Sequence, residues 1–247
     1  MPPPTFTTCC DPTSEPIVLL AELEIWHSRP VVPTRRIALG NLVLPVDPVP
    51  GFGGLLLAAV VAAHLHEVDD DLLPDIHRLI DQVESGQRVV QPRLRYRYQV
   101  DRHGLTVSHH RLTGEGENVT FELQPQGSGL VQVLGAVYAL ERLDVSARRL
   151  LVPTLHRAMR WRGPIGPAFV ANLAGSSATS LSALANPRAW ALEVLGFPVG
   201  TAKVSKKEVT SRYRDGLRRV HPDHGGQESA ASRAIADLAE ARRILSS

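Results

Sequence analysis

The chain has 247 residues, of which 43% are hydrophobic and 21% are charged, and its formal net charge is +2. This length allows two globular units, whereas the nearly balanced charge gives no global basic field that would draw the whole protein to nucleic acid or to a membrane. The two cysteines, Cys9 and Cys10, are adjacent, which excludes a disulfide scaffold and a zinc site built from repeated CxxC pairs.

The first two thirds of the chain alternate between strand-like and helix-like patterns. Residues 1–15 are rich in Pro and Thr and have little to bury, so we predict a disordered leader there. The predicted elements that follow are strands at 22–28 and 35–44, a turn-rich loop at 45–54, helices at 55–67 and 75–85, strands at 94–100, 105–112 and 118–123, and helices at 130–143 and 147–161. They predict an α+β domain over residues 16–173, whose topology does not follow from the sequence, and a Ser/Ala-rich linker over 174–186.

The clearest strand pattern is at 94–100, where Tyr96 and Tyr98 alternate with arginines, and a turn after it predicts a hairpin with 105–112. The basic residues around this hairpin are Arg93, Arg95, Arg97, Arg102, His103, His109 and Arg111. Basic side chains next to aromatic rings can bind single-stranded nucleic acid. Alternation, however, places the tyrosines on the opposite face from the arginines, so we favour a solvated sheet face and keep nucleic-acid binding as an alternative.

A glycine-rich segment, 51–54, precedes a predicted helix, where backbone amides can cradle a phosphate. The dinucleotide-binding pattern requires a further glycine at position 56, which is Leu56 here, and the neighbouring Pro48 and Pro50 favour a plain turn. We therefore predict a structural loop, and a phosphate-binding enzyme is a third hypothesis.

Two histidine pairs in the same region are candidate metal ligands. His64 and His66 lie two residues apart on a predicted helix and point in different directions, while His109 and His110 face opposite sides of a predicted strand. Neither pair is therefore expected to share a metal ion. No nucleophile is paired with a base in a recognised spacing, so we predict no catalytic, cofactor-binding or metal-binding residues and no enzymatic activity.

The C-terminal quarter shows strong helix signals. Asn186 and Pro187 are suited to the cap and the first position of a short helix that contains Trp190. Ser205 and Glu208 match a capping box, in which each residue bonds to the other's backbone amide. The box predicts a second helix that extends to residue 220.

The second helix and the one after it each carry an apolar stripe. The apolar residues of the second helix are Val209, Tyr213, Gly216, Leu217 and Val220, and those of the third are Ala231, Ala234, Ile235, Leu238, Ala241 and Leu245. Lys207, Arg214 and Arg218 form a separate basic stripe, with Arg219 beside it. Pro222 ends the second helix and two glycines follow it, so we predict an antiparallel helix pair with its basic stripe in solvent.

Residues 187–247 resemble the J-domain of DnaJ-like co-chaperones. The likeness is carried by Ala191-Leu192-Glu193-Val194-Leu195-Gly196, Tyr213-Arg214, Arg218-Arg219-Val220-His221-Pro222-Asp223, and Leu238 through Leu245. It implies an all-α unit that consists of a short first helix and an antiparallel helical hairpin. The chain departs from the family at Asp215, Gly216 and His224, where basic or larger residues are usual, and a glycine inside a helix costs about 1 kcal/mol relative to alanine.

The resemblance also implies a mode of action. In this family the His-Pro-Asp loop and the basic helix dock on a seventy-kilodalton heat-shock chaperone and stimulate its ATP hydrolysis. By resemblance, Asp223 would pair with an arginine of that partner, while His221 and Pro222 would hold the loop and contact the partner surface. The cations that would steer the approach are Lys207, Arg214, Arg218 and Arg219.

These patterns together favour a co-chaperone that has no cofactor and is not itself an enzyme. The N-terminal module would then choose a client, a location or an oligomer. A J-like unit retained only as a scaffold is a further alternative. No basic-then-apolar signal opens the chain, and the longest apolar stretch, 53–63, is too short to cross a bilayer, so we expect a cytoplasmic protein with no membrane contact.

Overall fold

The computed structural model describes residues 16–29, 35–87, 94, 96–176, 178–220 and 228–246; the expected leader, 1–15, lies outside them. Within these residues the chain is a mixed α/β protein with a five-stranded sheet. The strands are β1 (Val18–His27), β2 (Arg35–Val43), β3 (Tyr96–Tyr98), β4 (Thr106–Glu115) and β5 (Asn118–Gln124). The helices are α1 (Gly51–His64), α2 (Leu73–Ser85), α3 (Gly129–Leu140), α4 (Val145–Met159), α5 (Pro167–Ala174), α6 (Leu181–Ala185), α7 (Pro187–Val194), α8 (Lys206–Val220) and α9 (Glu228–Ser246).

The sheet is organised around β1, which lies at its centre in the order β3-β2-β1-β4-β5. β1 pairs antiparallel with β2 and β4, and β4 continues into a hairpin with β5. Alternate side chains of β1, namely Ala21, Leu23 and Ile25, are fully buried in the hydrophobic core. A single apolar face of the sheet is therefore available for helices to cover.

The predicted hairpin between 94–100 and 105–112 is wrong. β3 has only three residues and pairs in parallel with β2, so that Tyr96 lies opposite Arg35. The position beside β4 is taken by β1, because ten residues of β1 form a far longer ladder than three residues of β3 can. The predicted alternation is confirmed over β3, since Tyr96 is buried, Arg97 is exposed and Tyr98 is half-buried.

The helices of the N-terminal module form two layers behind the sheet. α1 and α3 pack against β1, and α4 and α2 pack in turn against these two helices. α1 is buried on most sides, as predicted, but it begins at Gly51, so the expected loop at 45–54 ends at Pro50. The predicted buried stripe of α2 is confirmed at Ile76, Leu79, Ile80 and Val83.

The three C-terminal helices α7, α8 and α9 share a second hydrophobic core. Its buried members are Ala178, Ala183, Trp190, Ala191, Leu195, Val209, Leu238, Ala241 and Leu245. The predicted start of α7 is confirmed, because the Asn186 side chain accepts a hydrogen bond of 3.0 Å from the Ala189 amide. Ile235 was predicted to lie on the buried side of α9, but it is exposed.

The segment 174–186, which we expected to be a linker, packs between the two units. It contains α6, and both Ala178 and Ala183 are buried. Ser182 donates from its amide and its hydroxyl to Glu117 in the β4–β5 turn, at 3.1 and 2.7 Å. Small residues give no hydrophobic period from which such packing can be read, which is why the composition resembled that of a flexible linker.

Candidate partner-docking surface

The N-terminus of α8 is held by the predicted capping box, which the structure confirms. The Ser205 amide donates to the Glu208 carboxylate at 2.9 Å, and the Glu208 amide donates to the Ser205 hydroxyl oxygen at 3.2 Å. Hydrogen bonds from the Ser205 hydroxyl and amide lower the pKa of Glu208. The first turn of α8 therefore has a defined start, and this start sets which side of the helix faces the core.

The inner side of α8 packs closely against α9. Val209 and Gly216 are buried, and a Cβ added at Gly216 would lie 2.7 Å from a Leu238 methyl carbon. The sequence placed Gly216 on the apolar stripe and as a helix-weakening departure, and the structure adds that its missing side chain lets α9 approach. Because this reason depends on Leu238, a residue on another helix, it is not visible in the local sequence.

The two helices run antiparallel, as their contacts show. The Arg242 guanidinium lies over the Tyr213 ring, 4.9 Å from its centroid, whereas Gly216, further along α8, meets Leu238, which is earlier on α9. A groove at one end of the pair is lined by residues that include Val220 and Ala234. Residues later in α8 thus contact residues earlier in α9, so the two helices are antiparallel, as the two apolar stripes predicted.

α8 carries Lys207, Arg214 and Arg218 on its outer side. Arg219 lies beside them, at the groove that Gly216 and Leu238 also line. We call these four predicted cations the cationic stripe. All four side chains are exposed. The Arg218 guanidinium lies 3.5 Å from the Asp215 carboxylate, and both side chains are largely in solvent. Such an exposed pair contributes little. Asp215 thus reduces the charge of the stripe without covering it.

Two further arginines of this unit have structural roles that the sequence did not reveal. Arg212 stacks over the Phe197 ring, 4.3 Å from its centroid, and donates a hydrogen bond to the Gly196 carbonyl. These contacts tie α8 to the turn that follows α7. Arg242 covers Tyr213 in the same way. Each of these two arginines lies over an aromatic ring, Phe197 for Arg212 and Tyr213 for Arg242. Such a ring contact distinguishes them from the arginines of the cationic stripe.

The predicted docking loop, with His221, Pro222 and Asp223, lies outside the described residues. α8 ends at Val220 and α9 begins at Glu228. The loop residues therefore belong to the segment 221–227 that joins the two helices, next in sequence to the Arg218 and Arg219 end of the cationic stripe.

The glycine-rich segment of the N-terminal module does not offer a free phosphate cradle. The Gly51 amide donates to the Pro48 carbonyl at 2.7 Å, and the Gly53 amide donates to the Pro45 carbonyl at 2.8 Å. A Cβ added at Gly53 would lie 2.6 Å from the backbone of Leu44. These glycines allow close packing of α1 against the preceding segment. The predicted loop at 51–54 is wrong, because these residues form the first turn of α1.

The basic residues around the predicted hairpin have separate partners in the structure and do not form one patch. Arg111 forms a 2.8 Å ion pair with Glu22, and His109 lies 3.6 Å from Glu24. Arg102 stacks over the Trp26 ring at 5.5 Å. Carboxylates thus lie between several of these cations, while Arg93 and Arg95 are outside the described residues.

The histidine predictions agree with the geometry. His64 is buried while His66 is exposed, and His110 is buried while His109 is half-buried. Over the described part of the chain, no group of three or more histidine, cysteine, aspartate or glutamate side chains could hold a metal ion. Nor does any helix in those ranges have the length and apolar character needed to span a bilayer.

Comparison with family models, with curated proteins and with solved structures found no significant match to this chain. The J-domain resemblance of residues 187–247 stays a prediction from the sequence motifs.

Proposed function

We propose that residues 187–247 form a J-domain-like docking module through which this protein binds a seventy-kilodalton heat-shock chaperone and stimulates its ATP hydrolysis. The observation that carries the proposal is the division of α8 into two sides. Val209 and Gly216 are buried against α9, whereas the whole cationic stripe is exposed. A helix that fixes its cations in solvent while its other side is packed presents a rigid charged surface to a partner.

Electrostatics gives this surface a defined role. Clustered positive charge raises the rate of encounter with an acidic surface, and it does so most strongly at low ionic strength. In the proposed complex, Asp223 pairs with an arginine of the chaperone, and His221 and Pro222 hold the loop in contact with it. No bond is made or broken in this protein, because the hydrolysis takes place in the partner.

The packing of the two units supports docking by the intact chain. The N-terminal module meets the C-terminal unit through α6, where Ser182 bonds to Glu117, and through a cavity lined by Glu240 and Arg243 of α9. The cationic stripe is exposed in the presence of that module. The N-terminal module then selects the client, the location or the oligomer, and the proposed setting of the complex is the cytoplasm.

The test is steady-state ATP hydrolysis by a purified DnaK-like chaperone with the full-length chain added. We expect wild type to raise the rate above the basal rate and His221→Gln to leave it at the basal rate. Arg214→Glu combined with Arg218→Glu should lower the stimulation, and added salt should reduce the difference between this variant and wild type. Arg149→Glu is the matched control, since Arg149 is an exposed arginine on α4.

Equal rates for wild type and His221→Gln, both at the basal level, contradict the proposal and favour a J-like unit kept only as a scaffold. Equal losses in Arg149→Glu and in the double variant would instead show a general charge effect without a docking surface.

A further inference from the structure

A cavity of about 210 Å³ lies at the joint between the N-terminal module and the C-terminal unit. Much of its lining is apolar and comes from both sides of the joint. The N-terminal module contributes Pro50 and Leu55, while α6, α7 and α9 contribute Leu184, Pro187 and Ile244. Joints between units are frequent places for small-molecule sites, which combine an apolar wall with a few polar groups.

The polar wall of this cavity is a buried carboxylate that orients an arginine. Glu240 is only 7% exposed, and Arg243 follows it one turn later on α9. Arg243 donates from Nε to Glu240 Oε2 at 3.0 Å and from Nη2 to Glu240 Oε1 at 2.6 Å. Both residues line the cavity. Because two parallel hydrogen bonds join the pair, the plane of the guanidinium is fixed.

Glu240 is held in its charged form. The hydrogen bond from Arg243 lowers the pKa of this carboxyl, against burial, which raises it. A further hydrogen bond from Ser176, which lies between α5 and α6, lowers the pKa as well. The carboxylate therefore keeps Arg243 in place at neutral pH.

Arg243 retains donors for a second anion. A guanidinium has five N–H donors, and the ion pair with Glu240 occupies Nε and one N–H of Nη2. Among the residues that the structure describes, no acceptor takes the other N–H of Nη2 or those of Nη1. Together they form an edge of the guanidinium that matches a carboxylate bidentately. Since the Arg243 side chain is 59% exposed, it stands where the cavity opens to solvent.

The volume and the charge of the cavity select the class of ligand. A cavity of about 150 Å³ in a protein interior holds benzene, so the larger volume here accepts an apolar body of about six to eight carbon atoms. An arginine at the mouth favours an acidic head group. A neighbouring cavity is lined by Glu117, Arg233 and Asp237, and its two carboxylates disfavour an anion.

We propose that the cavity at this joint binds a small apolar monocarboxylic acid. The carboxylate of the acid pairs with the Nη1–Nη2 edge of Arg243, and its hydrocarbon body lies against Leu55, Leu184 and Ile244. The bound acid touches both units and therefore stabilises their joint. Acid binding at this joint does not require the proposed docking on a chaperone.

The test is calorimetric titration of the full-length protein with sodium octanoate, together with thermal unfolding at increasing octanoate concentration. We expect one octanoate per chain and a melting temperature that rises with its concentration. Arg243→Gln should weaken the affinity at least about tenfold, because hydrogen bonds from a charged donor are lost. Arg233→Gln should bind as wild type does, because Arg233 is on the same helix but lines the other cavity.

A second variant tests the apolar part of the site. Ala174 lines the cavity, so Ala174→Leu fills part of it without changing the ion pair and should also weaken octanoate binding. Octan-1-ol, which has the same chain length and no charge, should bind at least about tenfold more weakly than octanoate. Melting curves recorded without ligand establish that each variant is folded, and Ala174→Leu decides the outcome if Arg243→Gln is not.

Three results overturn the proposal. The first is a wild-type protein that shows no saturable binding of octanoate. The second is binding that is unchanged in Arg243→Gln or in Ala174→Leu, since the acid then lies elsewhere on the protein. The third is equal affinity for octanoate and octan-1-ol, which would mean that the cavity does not recognise the carboxylate.

Discussion

In the N-terminal module the sheet buries ionisable side chains on both of its faces, whereas the C-terminal helices bury a single polar side chain among their described residues. Glu22, Glu24 and His110 of the sheet are all at least nine-tenths buried, while Glu240 is the buried polar residue of α9. Glu240 is held by Arg243, which is itself largely in solvent. The module therefore buries several charged side chains in ion pairs and hydrogen bonds, whereas the C-terminal unit keeps the cationic stripe in solvent.

This contrast predicts different responses to acid, and the largest effect is expected at His110. Its Nε2 lies 2.9 Å from the Gln132 side-chain oxygen, which can only accept, so Nε2 carries a proton. Burial lowers the pKa of His110 to about 4. In the unfolded chain the same imidazole has a pKa of about 6.5, so between about pH 6.5 and 4 the unfolded chain binds a proton that the folded chain does not.

The stability contributed by neutral His110 is therefore complete above pH 6.5 and is lost as the pH falls toward 4. The full loss is about 3 kcal/mol, since each pKa unit corresponds to about 1.4 kcal/mol. Hydrogen exchange of the two units at pH 7 and pH 4.5, compared with His110→Leu, measures it. The amides of the N-terminal module should lose protection against exchange at pH 4.5, and this loss should be smaller in His110→Leu. Equal pH dependence in wild type and His110→Leu would be evidence against this account.

The two units also differ in how tightly their helical glycines are packed. We expect a glycine-to-alanine change to destabilise the N-terminal module more than the C-terminal unit. A Cβ added at Gly135 of α3 would lie 2.5–2.7 Å from three carbons of Ile25, which is fully buried in β1. Overpacking of this kind costs about 1–3 kcal/mol, against a gain of about 1 kcal/mol in helix propensity. Gly135→Ala should therefore lower the free energy of unfolding, measured by urea denaturation, by up to about 2 kcal/mol.

The same change in an Ile25→Ala background tests the cause. Ile25→Ala removes all three carbons that the new methyl would meet, so the penalty of Gly135→Ala should disappear there. A penalty that persists in this background would show that the helix itself, and not its contact with β1, rejects alanine.

Features that depend on one helix and its caps were predictable from the sequence. The stripe of α2 and the Ser205–Glu208 box follow from residues three or four positions apart, so local periodicity and spacing were sufficient. The basic side chains of α8 are exposed for the same reason, because the apolar side of that helix fixed which side would be outward.

Features that depend on distant residues were not predictable. Tyr96 showed a correct strand alternation, but its partner is Arg35 of β2, because β1 occupies the place beside β4. The buried Ala178 and Ala183 resembled a linker because alanine and serine carry no periodic signal. In each case the decisive contact lies far away in the sequence, and composition alone contains no information about it.

Capping is expected to give an intermediate effect, confined to the C-terminal unit. Ser205→Ala removes the hydroxyl that accepts from the Glu208 amide, and loss of such a cap costs about 1 kcal/mol. Hydrogen exchange over 206–220 should accelerate while exchange in the sheet stays unchanged. Ser211→Ala is the control, because Ser211 is exposed in the middle of α8. Faster exchange in that control as well would indicate that any serine loss weakens the helix.

The smallest effect is expected at Gly216, the counterpart of Gly135. A Cβ there would meet only the far end of Leu238, at 2.7 Å, and Leu238 borders an open groove into which its side chain can turn. The gain of about 1 kcal/mol in helix propensity then offsets the cost of moving Leu238. Gly216→Ala should change the melting temperature little and leave the proposed stimulation of the chaperone ATPase intact. A loss as large as that of Gly135→Ala would mean that α8 and α9 are packed as tightly as α3 and β1, and the contrast between the two units would fail at this contact.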